Sequence, residues 1–234
     1  MLKEQYPYRI ELHAHTSPVS VCSEVSPKEL VEIYAAKGYD AVVITNHFAP
    51  VTFEGMTKKE AIDYYMHDFE ETQKAAQKYN MKVLLGAEIR FEENANDYLI
   101  FGVDRDILSK SFDYIPLGVE RFRKEIKLNE SVFVQAHPFR KGMTLCNPSL
   151  LDGIETFNMH PNHNSKVSLA VKYAKENNFA ITTAGTDFHH PNLNHEASAA
   201  LRSKILPQNS FDIASILKSG DYVFEIGENA IVLP

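Results

Sequence analysis

The chain has 234 residues and a formal net charge of −7 with its histidines counted as neutral. A hydrophobic fraction of 44% and a charged fraction of 24% are typical of a soluble globular protein, and the acidic balance argues against a polyanion as an obligatory partner. The two cysteines cannot form a disulfide framework, residues 1–7 lack an apolar signal core, and no apolar run reaches membrane-spanning length. We therefore expect one soluble, cytoplasmic domain, residues 1–234, with no membrane partner.

The first 47 residues predict a strand, a helix and a second strand. Residues 8–12 predict a strand that ends in the pair His13-Ala14-His15, whose alternate side chains share one face of an extended chain. Ser26-Pro27 supplies the N-cap and the first position of a helix. Residues 40–45 form a continuous apolar run, as in a parallel strand buried on both faces, and end at Asn46-His47. This order is that of a βαβ unit.

The remaining elements alternate in the same way. Helices are predicted at residues 57–79, 105–127 (interrupted near Pro116-Leu117-Gly118), 165–177 and 211–218, and strands at 81–87, 98–103, 131–136, 153–157, 180–184, 221–224 and 230–233. Six predicted strands end in polar side chains: His13 with His15, His47, Glu88, His137, Asn158, and Asp187 with His189. A barrel of parallel strands gathers its C-terminal strand ends on one face, so these side chains are expected to converge in one pocket.

Each of these side chains also has an ordinary structural role available. A histidine at a strand end is commonly a surface or capping residue, Glu88 could pair with a cation, and Asp187 could cap a turn. Six such coincidences at one structural position are less probable than one metal site. Imidazole and carboxylate ligands together suit Zn, Mn or Fe, so the sequence predicts a divalent-metal centre.

Five motifs resemble the polymerase and histidinol phosphatase (PHP) family of metal-dependent phosphoesterases: His13-Ala14-His15, Ile44-Thr45-Asn46-His47, Gly86-Ala87-Glu88, Ala136-His137-Pro138 and Gly185-Thr186-Asp187-Phe188-His189. The resemblance implies an α/β fold, a distorted (β/α)7 barrel like a TIM barrel, of mostly parallel strands with outer helices. It also implies two or three divalent ions (Zn, Mn or Fe) at the strand C-termini. By position, the implied ligands are His13, His15, Glu88 and Asp187 for one ion, Glu88 and His137 for a second, and His47 and His189 for a third.

The chain departs from the family pattern at three places. Asn46 replaces an aspartate beside the ligand His47. In the loop after the first histidine pair, Cys22 is the first candidate to complete the third ion's shell and Glu24 the second, with a small inert cysteine as the alternative. No histidine lies between Glu88 and His137, where many members carry one for the second ion. Glu120 or Asp97 are its candidate substitutes; otherwise the second ion is weakly held, completed by water or absent.

The resemblance and the predicted ions point to phosphoester hydrolysis by a metal-bound water, activated as hydroxide, with a small phosphomonoester (histidinol phosphate is one example) or a nucleotide-type phosphodiester as substrate. Arg140 and Arg90 are candidates to grip the phosphate, with solvated surface arginines as the alternative. His160 is a candidate proton donor to the leaving group and His163 a possible substrate contact; His190 and His195 follow the last motif.

Two other functions fit the same residues. An activated hydroxide also attacks carbonyl groups, so an amidohydrolase-like metal hydrolase is one alternative. The missing second-site histidine favours the other, a degenerate, non-catalytic PHP binding module. The expected partner is a small phosphorylated molecule, and nucleic acid is not expected beyond a short oligonucleotide or nucleotide.

Overall fold

The computed structural model describes residues 2–193, 198–227 and 230–234, so His195 lies outside the described residues. The strands are β1 (Tyr8–Ala14), β2 (Ala41–Ile44), β3 (His47–Phe48), β4 (Lys82–Leu85), β5 (Ala87–Arg90), β6 (Asp97–Phe101), β7 (Val132–Gln135), β8 (Gly153–Asn158), β9 (Ile181–Gly185), β10 (Ala199–Ser203), β11 (Tyr222–Ile226) and β12 (Ala230–Val232). The helices are α1 (Leu2–Gln5), α2 (Pro27–Ala36), α3 (Lys58–Ala76), α4 (Arg105–Phe112), α5 (Val119–Glu125), α6 (Val167–Glu176) and α7 (Ser210–Ser219). None of these helices is both long and apolar enough to cross a bilayer.

The described strands form two six-stranded sheets, in the orders β12-β11-β10-β1-β2-β4 and β3-β5-β6-β7-β8-β9. Five of their ten ladders are antiparallel, including those of β6 with both neighbours and those that join β10, β11 and β12 to β1. An α/β fold with mixed sheets is therefore established. The expectation of mostly parallel strands is wrong, and the predicted (β/α)7 barrel is not confirmed, since no ladder in the described residues closes the sheets into one barrel.

The two sheets meet along β1 and β9. The backbone N–H of His15 donates to the carbonyl of Phe188 at 3.0 Å, and Ala14 forms an isolated parallel bridge with Phe188. The contact is close because Gly185 has no side chain: a Cβ there would lie 2.3 Å from the Cβ of His13. The strand that leads to His13 and His15 and the strand that leads to Asp187 and His189 therefore lie side by side.

Local sequence explains where the main helices begin and break. Ser26 and Glu29 form a capping box at the start of α2, and Thr57 and Glu60 form another at the start of α3. The region predicted as one interrupted helix divides into α4, a 3-10 turn and α5. The division falls at Gly118, whose φ of +85° is disfavoured for residues with a side chain.

Buried apolar side chains lie in two clusters. One joins the sheets to α2, α3, α4 and α5, and includes Tyr34, Tyr65 and Phe122. The other lies between the strands and α7, and includes Leu12 and Leu217. The packing leaves the polar ends of the site-bearing strands gathered at one edge.

Candidate metal centre

The structure brings His13, His15, Glu88 and Asp187 together. The Nε2 atom of His13 lies 3.3 Å from Glu88 Oε1 and 3.4 Å from Asp187 Oδ1. The Nε2 atom of His15 lies 3.5 Å from Glu88 Oε2 and 3.4 Å from Asp187 Oδ1. All four side chains are buried. Four predicted ligands of the first ion therefore share one small space.

Several inward-facing atoms of this group have no hydrogen-bond partner among the described residues. They are His13 Nε2, His15 Nε2 and Glu88 Oε2. Glu88 Oε2 does lie 2.9 Å from His47 Nδ1, but in a geometry that makes no hydrogen bond. A buried polar atom without a partner costs about 1–3 kcal/mol, so three that converge are unfavourable unless a ligand satisfies them. Two imidazole nitrogens and a carboxylate oxygen are suitable donors for a divalent ion, and the residues present fit one.

Hydrogen bonds fix the histidine rings with their Nε2 atoms towards this space. His13 Nδ1 donates to Glu155 Oε1 at 2.8 Å. His189 Nδ1 donates to the backbone carbonyl of Asp187 at 2.9 Å. His15 Nδ1 donates to Ser20 Oγ at 3.0 Å, because the Ser20 hydroxyl itself donates to Asn46 Oδ1. Once a ring has lost its second proton, its Nε2 lone pair is thus left for a ligand, as in metal sites whose histidines are oriented by an outer partner.

Glu155 is a functional candidate that the sequence analysis missed. It is 1% exposed, and its Oε2 accepts from the backbone N–H of His137 at 2.8 Å and from Asn158 Nδ2 at 3.0 Å. Both β1 and β8 are bulged beside the His13–Glu155 contact, where their ladders shift register. Bulges redirect side chains and are common next to active sites. The available signal was a glutamate between Ile154 and Phe157 in a predicted strand.

Asp68 is a second residue that the sequence analysis missed. Its Oδ2 accepts from Asn46 Nδ2 at 2.7 Å and from Thr16 Oγ1 at 2.5 Å. Asp68 on α3 therefore supplies a carboxylate next to Asn46, at a position where the family has an aspartate in place of Asn46 itself. Asn46 Oδ1 in turn accepts a hydrogen bond from the Ser20 hydroxyl, and that hydroxyl accepts one from His15 Nδ1.

A second cluster consists of His15, His47 and His189, whose ligand nitrogens lie within 4.8 Å of one another. Cys22 lies beside it. Burial opposes ionisation of the Cys22 thiol, but hydrogen bonds to His189 and His47 outweigh burial and lower its pKa to about 6. Glu24, the alternative loop residue, is exposed, as Cys22 is, but its carboxylate lies 3.4 Å from His190 Nδ1. Of the two loop candidates, the structure therefore places Cys22 at the predicted third ion.

The predicted second-ion residues also have clear positions. His137 Nε2 lies 3.0 Å from Glu88 Oε1 and 3.8 Å from Asp97 Oδ2. Asp97 is 2% exposed, whereas Glu120 lies exposed on α5 and lines a separate surface pocket with Glu93. Of the two proposed substitutes for the missing histidine, only Asp97 reaches the centre.

The pKa values of the buried histidines and carboxylates in the centre are set by burial and by their charged neighbours. Burial lowers the pKa of His13, but the carboxylates of Glu155, Asp187 and Glu88 outweigh it and hold that pKa well above the ordinary value. Burial and the neighbouring His189 hold the pKa of His15 well below its ordinary value. Burial raises the pKa of Asp187, but His13 and His15 outweigh burial and hold that pKa well below its ordinary value. A divalent ion would replace protons on this set.

Backbone strain is concentrated at the same place. His137 and Asp187 have φ angles of 29° and 54°, in the left-handed region that is disfavoured for residues with a side chain. Such conformations cost about 1–3 kcal/mol each and cluster at functional sites, where the surrounding contacts hold them. Both His137 and Asp187 are predicted metal ligands.

The centre opens into a cavity of about 530 Å³ whose rim is rich in cationic and imidazole side chains. Arg140 donates to Asn158 Oδ1 at 2.8 Å and pairs with Asp187, and Arg90 makes two hydrogen bonds to Asp97. Both arginines are thus ion-paired at the cavity rather than solvated on the surface. Lys141, His163 and His190 also line it.

His160 lines the same cavity. Burial lowers its pKa to about 3, so the ring is neutral near pH 7. Its Nδ1 accepts from the backbone N–H of Asn162 at 3.2 Å, which places the ring proton on Nε2.

Comparison with known proteins agrees with these features. The sequence is 28% identical over 104 residues to DNA polymerase III PolC-type of Oceanobacillus iheyensis and 27% identical over 151 residues to that of Clostridium perfringens. These matches cover 44% and 64% of this chain but only 6% and 9% of the polymerases, so the chain spans a small part of their length.

Two solved structures share the fold. PsfC from Pseudomonas syringae aligns with a TM-score of 0.66 at 15% identity, over 94% of this chain and 92% of its own. A two-domain protein from Bacteroides vulgatus, which contains a predicted PHP-like metal-dependent phosphoesterase, aligns with a TM-score of 0.61 at 16% identity, over 94% of this chain and 65% of its own. The sequence model of the PHP domain matches residues 11–182, a range that includes six of the predicted metal ligands, from His13 to His137. The chain belongs to the PHP domain family.

Proposed function

We propose that this protein is a metal-dependent hydrolase that cleaves phosphate esters. The observation that supports this most is the convergence of His13 Nε2, His15 Nε2 and Glu88 Oε2, which have no partner in the described structure, below a cavity lined by Arg90 and Arg140. The inward atoms suit divalent cations, and guanidinium groups suit the oxygens of a phosphate. One end of the cavity would hold ions and the other the anionic substrate.

Each residue has a distinct role in this proposal. Divalent ions (Zn, Mn or Fe), held by His13, His15, Glu88 and Asp187 and by His47 and His189, would supply Lewis acidity and activate a water for attack on phosphorus. Glu155, Ser20 and the Asp187 carbonyl keep the imidazole rings oriented.

Arg140 orients the substrate. One of its nitrogens is held by Asn158 and Asp187, while its Nε has no protein partner in the described structure and can donate to a phosphate oxygen. His160, with its proton on Nε2, can donate a hydrogen bond to the leaving oxygen. Because its pKa is lowered to about 3, the ring is neutral near pH 7, so His160 would stabilise the leaving oxygen by a hydrogen bond rather than by transfer of a proton.

The substrate class follows from the size and charge of the cavity. A space of about 530 Å³ matches a small molecule rather than a long polymer. A small phosphomonoester or a nucleotide-type phosphodiester fits, and the similarity to a segment of DNA polymerases favours including nucleotides among the candidates. The net charge of −7 argues against a long nucleic acid as partner.

The test is turnover of p-nitrophenyl phosphate and bis(p-nitrophenyl) phosphate by protein loaded separately with Mn, Zn or Fe. We expect hydrolysis of at least one ester, at least a hundredfold slower in His13→Ala. His67→Ala is the matched control, because His67 is an exposed histidine on α3 away from the centre, and its rate should equal that of the unmodified protein. Cleavage of amides without phosphoesters would instead support an amidohydrolase-like enzyme. Stoichiometric metal without turnover of either would support a binding module.

A further inference from the structure

Arg90 and Asp97 form a cross-strand ion pair at the edge of the metal centre. They face each other in the antiparallel ladder of β5 and β6. Arg90 Nε donates to Asp97 Oδ1 at 2.7 Å, and Nη2 donates to Oδ2 at 2.6 Å. Because alternate residues of a strand share a face, Glu88 lies on the same face as Arg90. The β5–β6 hairpin thus presents two carboxylates and one guanidinium to the centre.

Asp97 lies where a third ligand for the second ion is needed. Its Oδ2 is 3.8 Å from His137 Nε2, and that nitrogen is 3.0 Å from Glu88 Oε1. Ligand atoms of Asp97, Glu88 and His47 also lie within 4.8 Å of one another. Glu88 is fully buried, and its Oε2 has no hydrogen-bond partner in the part of the chain described. Two buried carboxylates that lie close together, one with an unpartnered oxygen, favour a cation between them.

We infer that Asp97 is a ligand of a second divalent ion shared with Glu88 and His137, and that Arg90 is the cation that holds Asp97 until this ion binds. The inference rests on the proposed function for the presence of a neighbouring first ion. In the ion-free state, the guanidinium engages both oxygens of Asp97. When an ion takes Oδ2, the Nη2 donor of Arg90 is released.

The release of Arg90 has a consequence for substrate binding. The Arg90 side chain is 39% exposed and lines the cavity, so its freed N–H donor faces the space in which an anionic substrate would lie. Occupancy of the second ion and anion binding by Arg90 would then favour each other. Two carboxylates and one imidazole make this site richer in oxygen than the histidine-rich clusters, which favours a hard ion such as Mn²⁺.

The first experiment counts Mn²⁺ ions by calorimetric titration and by electron paramagnetic resonance of the full chain. We expect at least two Mn²⁺ per chain, with a spin-coupled signal because bridged ions lie roughly 3.5–4 Å apart. Asp97→Asn should lose the coupled signal and weaken one class of site at least tenfold, while the tighter site is unchanged. Asp97→His, which restores a ligand, should recover the signal and guards against a folding defect. Glu120→Gln is the control for the other candidate and should behave like the unmodified chain.

The second experiment separates competition from positioning. If Arg90 competes with the ion, Arg90→Gln should tighten the weaker Mn²⁺ site severalfold and weaken inorganic phosphate binding to the Mn²⁺-loaded protein. A weaker Mn²⁺ site in Arg90→Gln would overturn the competing role, and an unchanged coupled signal in Asp97→Asn would overturn the ligand assignment. Both readouts are independent of turnover. A chain with normal ion binding but no phosphoesterase activity would contradict only the proposed function.

Discussion

Replacement of Glu155 by glutamine tests whether a buried carboxylate positions the metal-binding face of His13. Glu155 accepts three hydrogen bonds, from His13 Nδ1 at 2.8 Å, from the His137 N–H at 2.8 Å and from Asn158 Nδ2 at 3.0 Å. Glutamine has nearly the same shape, but only one of its two terminal atoms is an acceptor. Its NH₂ group must therefore face a donor, either on the His13 side or on the side of His137 and Asn158.

The magnitude follows from the lost contacts. A buried donor left without its acceptor costs about 1–3 kcal/mol of folding free energy. Loss of an outer partner of a metal-binding histidine commonly weakens metal affinity about 10- to 100-fold. Glu155→Gln should therefore lower the free energy of unfolding of metal-free protein by about 1–3 kcal/mol and raise the metal dissociation constant about 10- to 100-fold. Urea unfolding and competition with a chromophoric chelator measure the two effects.

Glu225→Gln is the matched control. Glu225 is also buried, at 3% exposed, but it pairs with Lys3, Arg9 and Arg202, away from the centre. Its replacement should change stability without changing metal affinity. A folded Glu155→Gln protein with the metal affinity of the unmodified chain would refute the positioning role of Glu155.

Three further outcomes are expected. Because hydrogen bonds lower the pKa of Cys22 to about 6, its alkylation by iodoacetamide in metal-free protein should rise through pH 6 and level off near pH 7, with protection by Zn; a rise that continues to pH 9 would contradict this. Gly185→Ala places a Cβ 2.3 Å from that of His13, so it should cost about 1–3 kcal/mol in urea unfolding and weaken metal binding, and an unaltered affinity would count against it. Raised pKa values keep His13 and His47 protonated near pH 7, so metal binding should release protons and tighten as pH rises, as calorimetry in buffers of different ionisation enthalpy can show.

Residues at strand ends could be located from the sequence because their signal is local. An apolar run of four to six residues followed by a polar side chain, as before His47 and Glu88, fixes both the strand and the position of its end. Capping residues such as Ser26 fix helix starts in the same way. The strand order and the convergence of the ends could be expected only from parallel-sheet rules, and those rules did not anticipate five antiparallel ladders in the described strands.

The partners of these residues could not be predicted, because their contacts are distant in sequence. Glu155 and His13 are 142 residues apart, and nothing in either local sequence indicates the other. The strand β10 was missed because Ala199–Ser203 has only one large apolar side chain, that of Leu201, and is defined by its pairing with β1 and β11. Asp97 and Glu120 were indistinguishable in sequence. Only the register of β5 with β6, which sets Asp97 opposite Arg90, separates them.

The proposed function requires that His13, His15, Glu88 and Asp187 share one divalent ion. Anomalous diffraction from crystals of the Mn-loaded protein tests it most directly. We predict a strong anomalous peak about 2.0–2.3 Å from His13 Nε2 and His15 Nε2, in contact with both carboxylates. Well-diffracting Mn-loaded crystals with no peak between these four side chains, or with Mn bound only elsewhere, would show that the four do not share an ion.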